Sequence, residues 1–395
     1  MKILLVHNFH RKESASGDDL VFKNEANLLE KHGNEVIKYT VSNDEFDNSS
    51  ILKKIKMTFG MLWSFKNYNN IKSIIDKEKP DLIHIHTFFP LLSPSILYAA
   101  KRSGCKVVTT LHDTRFICPC ATSLCKNKIC NKCGDGKYFR MIKNKCFKNS
   151  RLQSFWVAII FKYHRIRKSF YNQIDKYICL NENQIELLKG INFSENKIVK
   201  KYNFVEDFNI QNNEIIENLP KKYVVFYGRI GEEKGIRILE QIWDKIDNIP
   251  LVVMGGGPLE EEFKKWSINK KNVFFLGYTQ HEKCLKIVKD SEFVVFPSIW
   301  YEGCSMVEIE TMSLGKALVA TDLGFSSEAI RDEYNGFKVK LGDIDSFTNI
   351  INNLWNSHKL CVKLGINSRI EYEKKYLAEN NYSELMDIYK QCLER

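Results

Sequence analysis

The clearest indication of the fold is a regular alternation of short apolar runs with longer amphipathic segments. In the first half of the chain, the apolar runs lie at residues 3–6, 36–40, 82–86, 106–111, 176–180 and 198–202. Strand-sized runs separated by helix-like segments are typical of βαβ units, whose strands form a parallel sheet. The first half therefore predicts one open α/β sheet with helices on its faces.

The same alternation starts again in the second half, after a polar and acidic stretch at residues 203–220 that we interpret as a linker. The later apolar runs lie at residues 223–227, 251–254, 273–276, 293–296 and 317–321. A chain of 395 residues favours two domains of roughly 150–200 residues each. We predict an N-terminal Rossmann-like domain at residues 1–205 and a C-terminal one at 206–375. Residues 376–395 are predicted to form a helix that packs back toward the N-terminal domain.

A glycine-bearing turn with two cations follows the first strand of the second series. It contains Gly228, Arg229, Lys234 and Gly235, and a helical pattern begins directly after it. Glycines allow the backbone to approach a phosphate, and the positive end of the helix dipole favours an anion. Arg229 and Lys234 could donate charge-assisted hydrogen bonds to a diphosphate. Taken alone, the same pattern is more common in ordinary βα turns.

Two carboxylates flank the start of another predicted helix, at residues 297–310. Glu302 lies in the loop and Glu310 about one and a half turns into the helix. The backbone amides of Cys304, Ser305 and Met306 would be donors at the helix N-terminus. Each feature has a purely structural explanation, but together with the cationic turn they describe a site for a nucleoside diphosphate.

These motifs resemble those of the retaining glycosyltransferases of family four, over nearly the whole chain and in the family's order. The remaining parts of the likeness are residues 255–258 (Gly-Gly-Gly-Pro), 276–278 (Leu-Gly-Tyr) and 297–298 (Pro-Ser). The resemblance implies an α/β protein of the GT-B fold, with two Rossmann-like domains that face each other across a cleft. It also implies transfer of a sugar from a UDP- or GDP-linked donor with retention of configuration.

The resemblance further implies a role for each charged residue. Arg229 and Lys234 would bind the diphosphate, Glu310 the ribose, and Glu302 the hydroxyl groups of the donor sugar. The catalytic set is completed by His112. The leaving phosphate would accept the proton of the acceptor, so that no protein nucleophile and no cofactor is required for catalysis.

The other predicted donor-binding positions act mainly through their backbone. Gly277 and Tyr278 correspond to the loop that contacts the base, and the amides of Cys304, Ser305 and Met306 would bind phosphate oxygens or the sugar. Cys304 and Ser305 replace the family's more usual aromatic residue and glycine. The width of the sugar pocket is therefore left open.

In the first half, His112 follows a predicted strand at residues 107–111 and resembles the family's histidine that binds the donor sugar. Gly17, in the loop after the first strand, corresponds to a glycine-rich loop near the donor, but a single glycine replaces the commoner pair. His84 and His86 alternate with isoleucines near another strand end, and the sequence assigns them no function.

Six of the 12 cysteines lie in an apparent insertion at residues 118–149. A Cys-x-x-Cys pair with further thiols close by is typical of a tetrahedral zinc site. Cys118, Cys130, Cys133 and Cys146 are the predicted ligands of a structural zinc, with free thiols or an iron–sulfur site as alternatives. A subset of the family has a similar cysteine-rich insertion after its His-Asp motif.

The net charge of +11 is concentrated at residues 137–168, which contain ten Lys or Arg and no Asp or Glu. Aromatic and basic residues also mix at residues 51–66 and 151–168, as in interfacial helices on anionic membranes. The alternative is that residues 155–161 belong to the core. No segment resembles a signal peptide or a membrane span. We therefore predict a cytoplasmic protein that contacts the inner face of the membrane.

The sequence thus predicts a glycosyltransferase with a glycan or a polyprenyl-pyrophosphate-linked acceptor, and the resemblance favours bacterial surface polysaccharide (O-antigen or capsule) biosynthesis. A sugar-nucleotide epimerase of the same fold is the first alternative. A zinc-containing nucleic-acid-binding protein is the second, but the charge excess is local, so we predict no nucleic-acid partner. The donor sugar, the acceptor and the linkage are not determined by the sequence.

Overall fold

A computed structural model describes residues 1–11, 16–126, 128–208 and 219–394. The chain divides into two compact units. The first consists of Met1–Cys125, Cys130–Asn203 and Glu379–Arg395, and the second of Phe204–Ala378 together with Lys126–Ile129. Each unit contains a six-stranded parallel sheet.

The sheet of the first unit has the strand order β2-β1-β3-β4-β7-β8. In chain order the strands up to residue 208 are β1 (Lys2–Phe9), β2 (Glu35–Ser42), β3 (Leu82–Ile85), β4 (Lys106–Leu111), β5 (Leu124–Cys125), β6 (Lys128–Ile129), β7 (Lys176–Cys179) and β8 (Ile198–Lys200). The central strands are buried on both faces, which explains their continuous apolar sequences.

The helices up to residue 208 connect these strands. They are α1 (Gly17–Lys31), α2 (Asp44–Asp47), α3 (Ile51–Gly60), α4 (Phe65–Glu78), α5 (Ser95–Arg102), α6 (Phe139–Lys143), α7 (Arg151–Ile166), α8 (Ser169–Asn172) and α9 (Glu182–Lys189). The sequence places Gly17 in a loop, but the structure makes it the first residue of α1. The helix starts early because Ser16 stands at the N-cap and Asp18 and Asp19 occupy the first turn, where the helix dipole favours negative charge.

The sheet of the second unit has the order β11-β10-β9-β12-β13-β14. Its strands are β9 (Val224–Tyr227), β10 (Leu251–Met254), β11 (Val273–Gly277), β12 (Phe293–Phe296), β13 (Ala317–Thr321) and β14 (Gly336–Val339). The core of this unit combines side chains of the central strands with those of the covering helices, including the fully buried Trp243 and Phe263.

The remaining helices complete the chain. They are α10 (Ile236–Trp243), α11 (Glu260–Ser267), α12 (His281–Asp290), α13 (Met306–Ser313), α14 (Phe325–Ala329), α15 (Ile344–Trp355), α16 (His358–Lys375) and α17 (Ala378–Leu393). Helix α17 belongs to the first unit, where Leu385 and Tyr389 are buried in one cluster with Ile3 and Leu5 of β1. Helix α17 and strand β1 therefore contribute to the same core of the first unit.

Within the described residues, none of the helices is both long enough and apolar enough to cross a bilayer.

Candidate active site

The cationic turn after β9 is fixed by a close backbone approach. One turn of 3-10 helix, Glu232–Lys234, leads to Gly235, which has a φ of 74°. A Cβ atom at Gly235 would lie 1.8 Å from the carbonyl oxygen of Pro297. Only glycine fits here, and its absence of a side chain brings the turn against the loop that follows β12.

Lys234, in the cationic turn, and Glu302, in the loop after β12, form an ion pair. The Nζ atom of Lys234 lies 2.6 Å from Oε1 of Glu302, and the two side chains are only 17% and 7% exposed. The hydroxyl of Ser298 lies 2.8 Å from the same carboxylate oxygen and 3.0 Å from the carbonyl oxygen of Glu233. The ring of Trp300 lies 5.4 Å from Nζ, within the range of a cation–π contact. The site thus contains a cation and a carboxylate that are both largely removed from solvent.

Arg229 is placed differently from Lys234. Its side chain is 51% exposed, and its Nε lies 3.4 Å from a carboxylate oxygen of Glu233. An ion pair at this exposure is weak, because water screens it. The guanidinium of Arg229 is therefore accessible to an anionic ligand at the edge of the turn.

The predicted amides lie at the start of α13. Ser305 is the N-cap residue, and its hydroxyl accepts a hydrogen bond from the amide of Glu308. Cys304 and Ser305 are buried, whereas Met306 is intermediate in exposure. The hydroxyl of Tyr227 donates to the carbonyl of Val307 at 2.6 Å, which fixes this helix to the end of β9.

Glu310 is buried in α13 and is bound to a residue that the sequence analysis missed. Its Oε1 atom lies 2.8 Å from Nε2 of His281, the first residue of α12. This hydrogen bond is the main reason why the pKa of His281 is raised above its usual value. No local pattern marks His281, because the contact depends on two helices that are distant in sequence.

The loop predicted to contact the base is hydrogen-bonded to the glycine segment that follows β10. Gly277 ends β11 with a φ of 65°, and its carbonyl oxygen accepts a hydrogen bond from the amide of Gly255 at 2.8 Å. Tyr278 is 83% exposed. The structure therefore holds the backbone at this position and leaves the aromatic ring accessible.

In the first unit, His112 directly follows β4 and lies beside another histidine. Its Nε2 atom is 3.0 Å from Nδ1 of His86. Burial lowers the pKa of His112 to about 4, despite the opposing effect of the Asp18 carboxylate. His112 is therefore a neutral imidazole near neutral pH. Asp18 adjoins the predicted Gly17, and its carboxylate lies 3.4 Å from the hydroxyl of Thr87.

The cysteines of the insertion share one region of the first unit but do not form the predicted tetrahedron. Cys118 and Cys133 are buried, and Cys120, Cys125, Cys130 and Cys146 are half-buried. Among the residues that the structure describes, the groups of three or more potential ligand atoms within 4.8 Å of one another contain only histidine and carboxylate side chains. The sulfur atoms of the predicted four are therefore not gathered at metal-binding distances.

Two family models match consecutive parts of the chain. The model described as Glycosyltransferase Family 4 matches residues 20–207, and the one described as Glycosyl transferases group 1 matches residues 207–371. The chain is a glycosyltransferase of family four. The enzyme uses a nucleotide sugar as its donor.

The glycosyltransferase is similar to distant relatives of named activity. O-antigen chain mannosyltransferase C of Escherichia coli is 22% identical over 341 residues, which cover 84% of this chain and 80% of that protein. UDP-Gal:alpha-D-GlcNAc-diphosphoundecaprenol alpha-1,3-galactosyltransferase, also of Escherichia coli, is 24% identical over 339 residues, which cover 82% and 78%.

A solved structure supports the fold. The glycosyltransferase is similar to the Anabaena protein HepE in complex with UDP, with a TM-score of 0.70 and 16% identity, over 99% of this chain and 100% of that one. The two parallel six-stranded sheets and this likeness show the GT-B fold that the sequence motifs predicted. The roles of individual site residues stay predictions.

Proposed function

We propose that this glycosyltransferase moves a sugar from a nucleoside diphosphate, with retention of configuration, to a glycan or polyprenyl-linked acceptor of surface polysaccharide assembly. The largely buried ion pair of Lys234 and Glu302, beside the N-terminus of α13, is the observation on which the donor site depends. The UDP bound to HepE makes UDP-sugars the first donors to test. The names of the two relatives, one an O-antigen enzyme and one acting on a diphosphoundecaprenol-linked sugar, support the acceptor class.

The charges of the site fit the departure of a diphosphate. As the anomeric C–O bond breaks, negative charge grows on the leaving group, where Lys234, Arg229 and the amides at the start of α13 can stabilise it. Glu302 then accepts hydrogen bonds from sugar hydroxyls, and Glu310 from the ribose. The acceptor oxygen bonds to the anomeric carbon on the face of the leaving group, and its proton passes to the leaving diphosphate.

A thermal-shift screen with UDP- and GDP-sugars tests the donor site. A ligand at a hundred times its dissociation constant should add about 2.7 kcal/mol to the free energy of unfolding. If no nucleotide sugar raises the melting temperature, the proposed donor site is wrong.

The reaction itself is tested with a labelled form of the stabilising donor and a polyprenyl-diphosphate-linked sugar as acceptor. The product should contain the transferred sugar in α-configuration by NMR. A β-linked product would contradict retention. Conversion of the sugar while it is still attached to the nucleotide would instead support the epimerase.

We also propose that the first unit contacts an anionic membrane through an apolar surface formed by α3 and α7. In α3 no residue is buried, and Ile51, Leu52 and Phe59 are exposed by 78%, 81% and 62%. Trp156 of α7 joins the two helices, because its Nε1 donates to the carbonyl of Thr58 and its ring packs edge-on against Phe59. Neither helix contains an acidic residue, so the surface suits anionic lipid.

Helix α7 has a buried face and an exposed face. Its inner face, with Val157, Ile160 and Phe161, is buried in the core of the first unit. Its outer face exposes Leu152 by 77% and Phe155 by 50%. The inner residues belong to the core, and the exposed outer residues support the proposal because they extend the apolar surface of α3.

Sedimentation with lipid vesicles tests this contact. The enzyme should bind vesicles that contain phosphatidylglycerol, bind pure phosphatidylcholine more weakly, and be released by salt. The double variant Leu52→Ser/Phe59→Ser should bind less, whereas Ile268→Ser, which alters an equally exposed residue of the second unit, should bind like the wild type. Equal binding by all three proteins would contradict the proposal.

The cysteine-rich insertion is proposed to bind a structural zinc through Cys118, Cys130, Cys133 and Cys146. The donor set fits zinc because it consists of thiols in a region where Cys118 and Cys133 are buried. Binding would draw these sulfur atoms together. The metal would have no part in sugar transfer.

Elemental analysis of the purified enzyme tests the zinc site. About one zinc per chain is expected, and Cys133→Ser should lower the content while Cys105→Ser, a buried cysteine outside the insertion, should not. A metal-free wild type with reactive thiols would contradict the proposal, and sulfide with iron would identify the iron–sulfur alternative.

A further inference from the structure

A buried chain of hydrogen bonds connects His112 to a carboxylate on α1. Nδ1 of His86 lies 3.0 Å from Nε2 of His112, and Nε2 of His86 lies 3.0 Å from Oε1 of Glu25. Glu25 and His86 are 1% and 4% exposed. The chain lies wholly within the first unit, and its inner members are shielded from solvent.

Glu25 is held as an anion. Burial alone would raise the pKa of its carboxyl group, but its neighbours, above all the positive charge of Lys201, outweigh burial and hold the pKa well below its usual value. Lys201 lies 3.2 Å from Oε2 of Glu25 and 2.9 Å from Oδ1 of Asn381 in α17. An ionised carboxylate only accepts hydrogen bonds.

The anion determines where each proton along the chain resides. Since Glu25 only accepts, Nε2 of His86 must carry the proton that faces it. Burial lowers the pKa of His86 to about 3, so His86 is neutral and its Nδ1 is an acceptor. Nε2 of His112 must then donate to it. Because His112 is also neutral, its Nδ1 has no proton and presents a lone pair.

We propose that Glu25 and His86 are positioning residues that fix His112 as the Nε2–H tautomer, so that its Nδ1 accepts a hydrogen bond from one hydroxyl group of the donor sugar. His112 lines a cavity of about 30 Å³ together with His86, Thr87, Phe89 and Arg115. That volume is large enough for a hydroxyl-sized group. The inference rests on the proposed donor-binding role of His112.

The other polar neighbours do not reverse this assignment. Asp18 and His7 act on His112 electrostatically, and the Asp18 carboxylate opposes the effect of burial. His84 contacts the Glu25 end of this hydrogen-bond chain: its Nδ1 lies 3.0 Å from Oε1 of Glu25 and 2.7 Å from the hydroxyl of Tyr389. None of these contacts offers a second partner to Nε2 of His112.

The variant Glu25→Gln should reverse donor and acceptor in each hydrogen bond from residue 25 through His86 to His112. Its amide oxygen should face the Lys201 ammonium, because an NH2 group there would be repelled. The NH2 group then faces His86 and donates to its Nε2, so that Nδ1 of His86 carries the proton and donates to His112. His112 becomes the Nδ1–H tautomer, so its Nδ1 can no longer accept a hydrogen bond from a hydroxyl group of the sugar. Tyr389→Phe is the matched control, since it removes a buried polar contact of His84 and leaves the bond between Glu25 and His86.

The tautomer is measured by 15N NMR of the full-length enzyme with labelled histidine, and His112→Asn assigns the signals. The wild type and Tyr389→Phe should show an unprotonated Nδ1 for His112 near neutral pH, and Glu25→Gln a protonated one. A protonated Nδ1 in the wild type would overturn the proposal. This readout requires no donor, so it separates failure of the proton chain from failure of the donor site.

Binding measurements then connect the tautomer to the sugar. Glu25→Gln should weaken binding of the UDP-sugar that stabilises the wild type by about tenfold, the equivalent of one hydrogen bond, and leave the affinity for UDP within about twofold. Equal losses for UDP and UDP-sugar would show a general structural defect and overturn the role in sugar binding.

Discussion

At the scale of single residues, the donor site depends on charges that the fold removes from solvent. Lys234 is paired with Glu302, whereas Arg229 is half exposed and weakly paired. A largely buried cation next to a carboxylate is well placed to exchange its partner for a diphosphate, because opposite charges attract each other more strongly in a region of low dielectric.

Lys234→Ala should therefore lower kcat/KM by a factor of about 10² to 10³, as expected for the loss of one donor to a charge that grows in the transition state. Arg237→Ala is the control, because Arg237 also lies near the turn but pairs with Glu240 and Glu262. Its activity should stay within about twofold of the wild type. Steady-state kinetics with the donor found by thermal shift measures both, and equal losses would contradict a specific role for Lys234.

Glu308 makes the stability of the second unit dependent on pH. Burial raises the pKa of its carboxyl group to about 8 from the usual 4.5. The folded state thus binds more protons than the unfolded state between these two pKa values. The free energy of unfolding should therefore fall as the pH rises through this window, with a slope of at most about 1.4 kcal/mol for each pH unit. Glu308→Gln should reduce the fall.

Urea unfolding at about pH 5 and about pH 8 measures this effect. The exposed Glu261→Gln serves as the control and should show the same pH dependence as the wild type. An unchanged pH dependence in Glu308→Gln would show that this carboxyl group does not titrate in the window.

At the scale of elements, the contact of the cationic turn with the loop after β12 depends on one glycine. Gly235→Ala would place a Cβ atom 1.8 Å from a backbone oxygen, and backbone cannot yield as a flexible side chain can. Gly33, at the end of α1, has nearly the same φ, 77° against 74°, but a Cβ atom there would meet nothing within 4 Å. Alanine variants at Gly33 and Gly235 therefore distinguish the effect of a positive φ from that of a steric clash.

Gly33→Ala should lower the free energy of unfolding by about 1–2 kcal/mol, through the positive φ alone. Gly235→Ala should lower the free energy of unfolding distinctly more than Gly33→Ala does. It should also weaken nucleotide binding, because the turn must move away from Pro297. Chemical denaturation and UDP titration measure these effects. Equal destabilisation of the two variants would mean that the turn relaxes without penalty.

At the scale of the whole molecule, the chain returns at its end to the unit in which it starts. Leu385 of α17 is fully buried against β1, whereas Leu364 of α16 is fully buried in the core of the second unit. Truncation of a buried leucine costs about 2–5 kcal/mol, because it leaves a cavity.

Hydrogen exchange in Leu385→Ala should therefore show lower protection at residues 2–9 and 82–85, although these segments lie far from Leu385 in the sequence. Leu364→Ala is the matched change and should instead lower protection at residues 224–227. Loss of protection at 224–227 in Leu385→Ala, with residues 2–9 unchanged, would contradict the assignment of α17 to the first unit.

The fold class follows from the amino-acid order alone, because periodicity depends on local spacing. Buried parallel strands require continuous apolar runs, and covering helices require amphipathic ones, so the two sheets could be predicted from alternation alone. The motif spacing also predicts Arg229, Lys234, Glu302 and Glu310 as site residues, since residues that serve one turn or one helix start are close in sequence.

The partners of these groups follow only from the three-dimensional packing. The pairing of Lys234 with Glu302, the contact of His281 with Glu310, and the chain from Glu25 through His86 to His112 join elements far apart in sequence. His86 was visible beside the strand end, but nothing local relates it to a glutamate on α1 or a lysine after β8. Hydrogen bonds require two groups within about 3 Å, and for such distant residues only the packing of helices on sheets brings them that close.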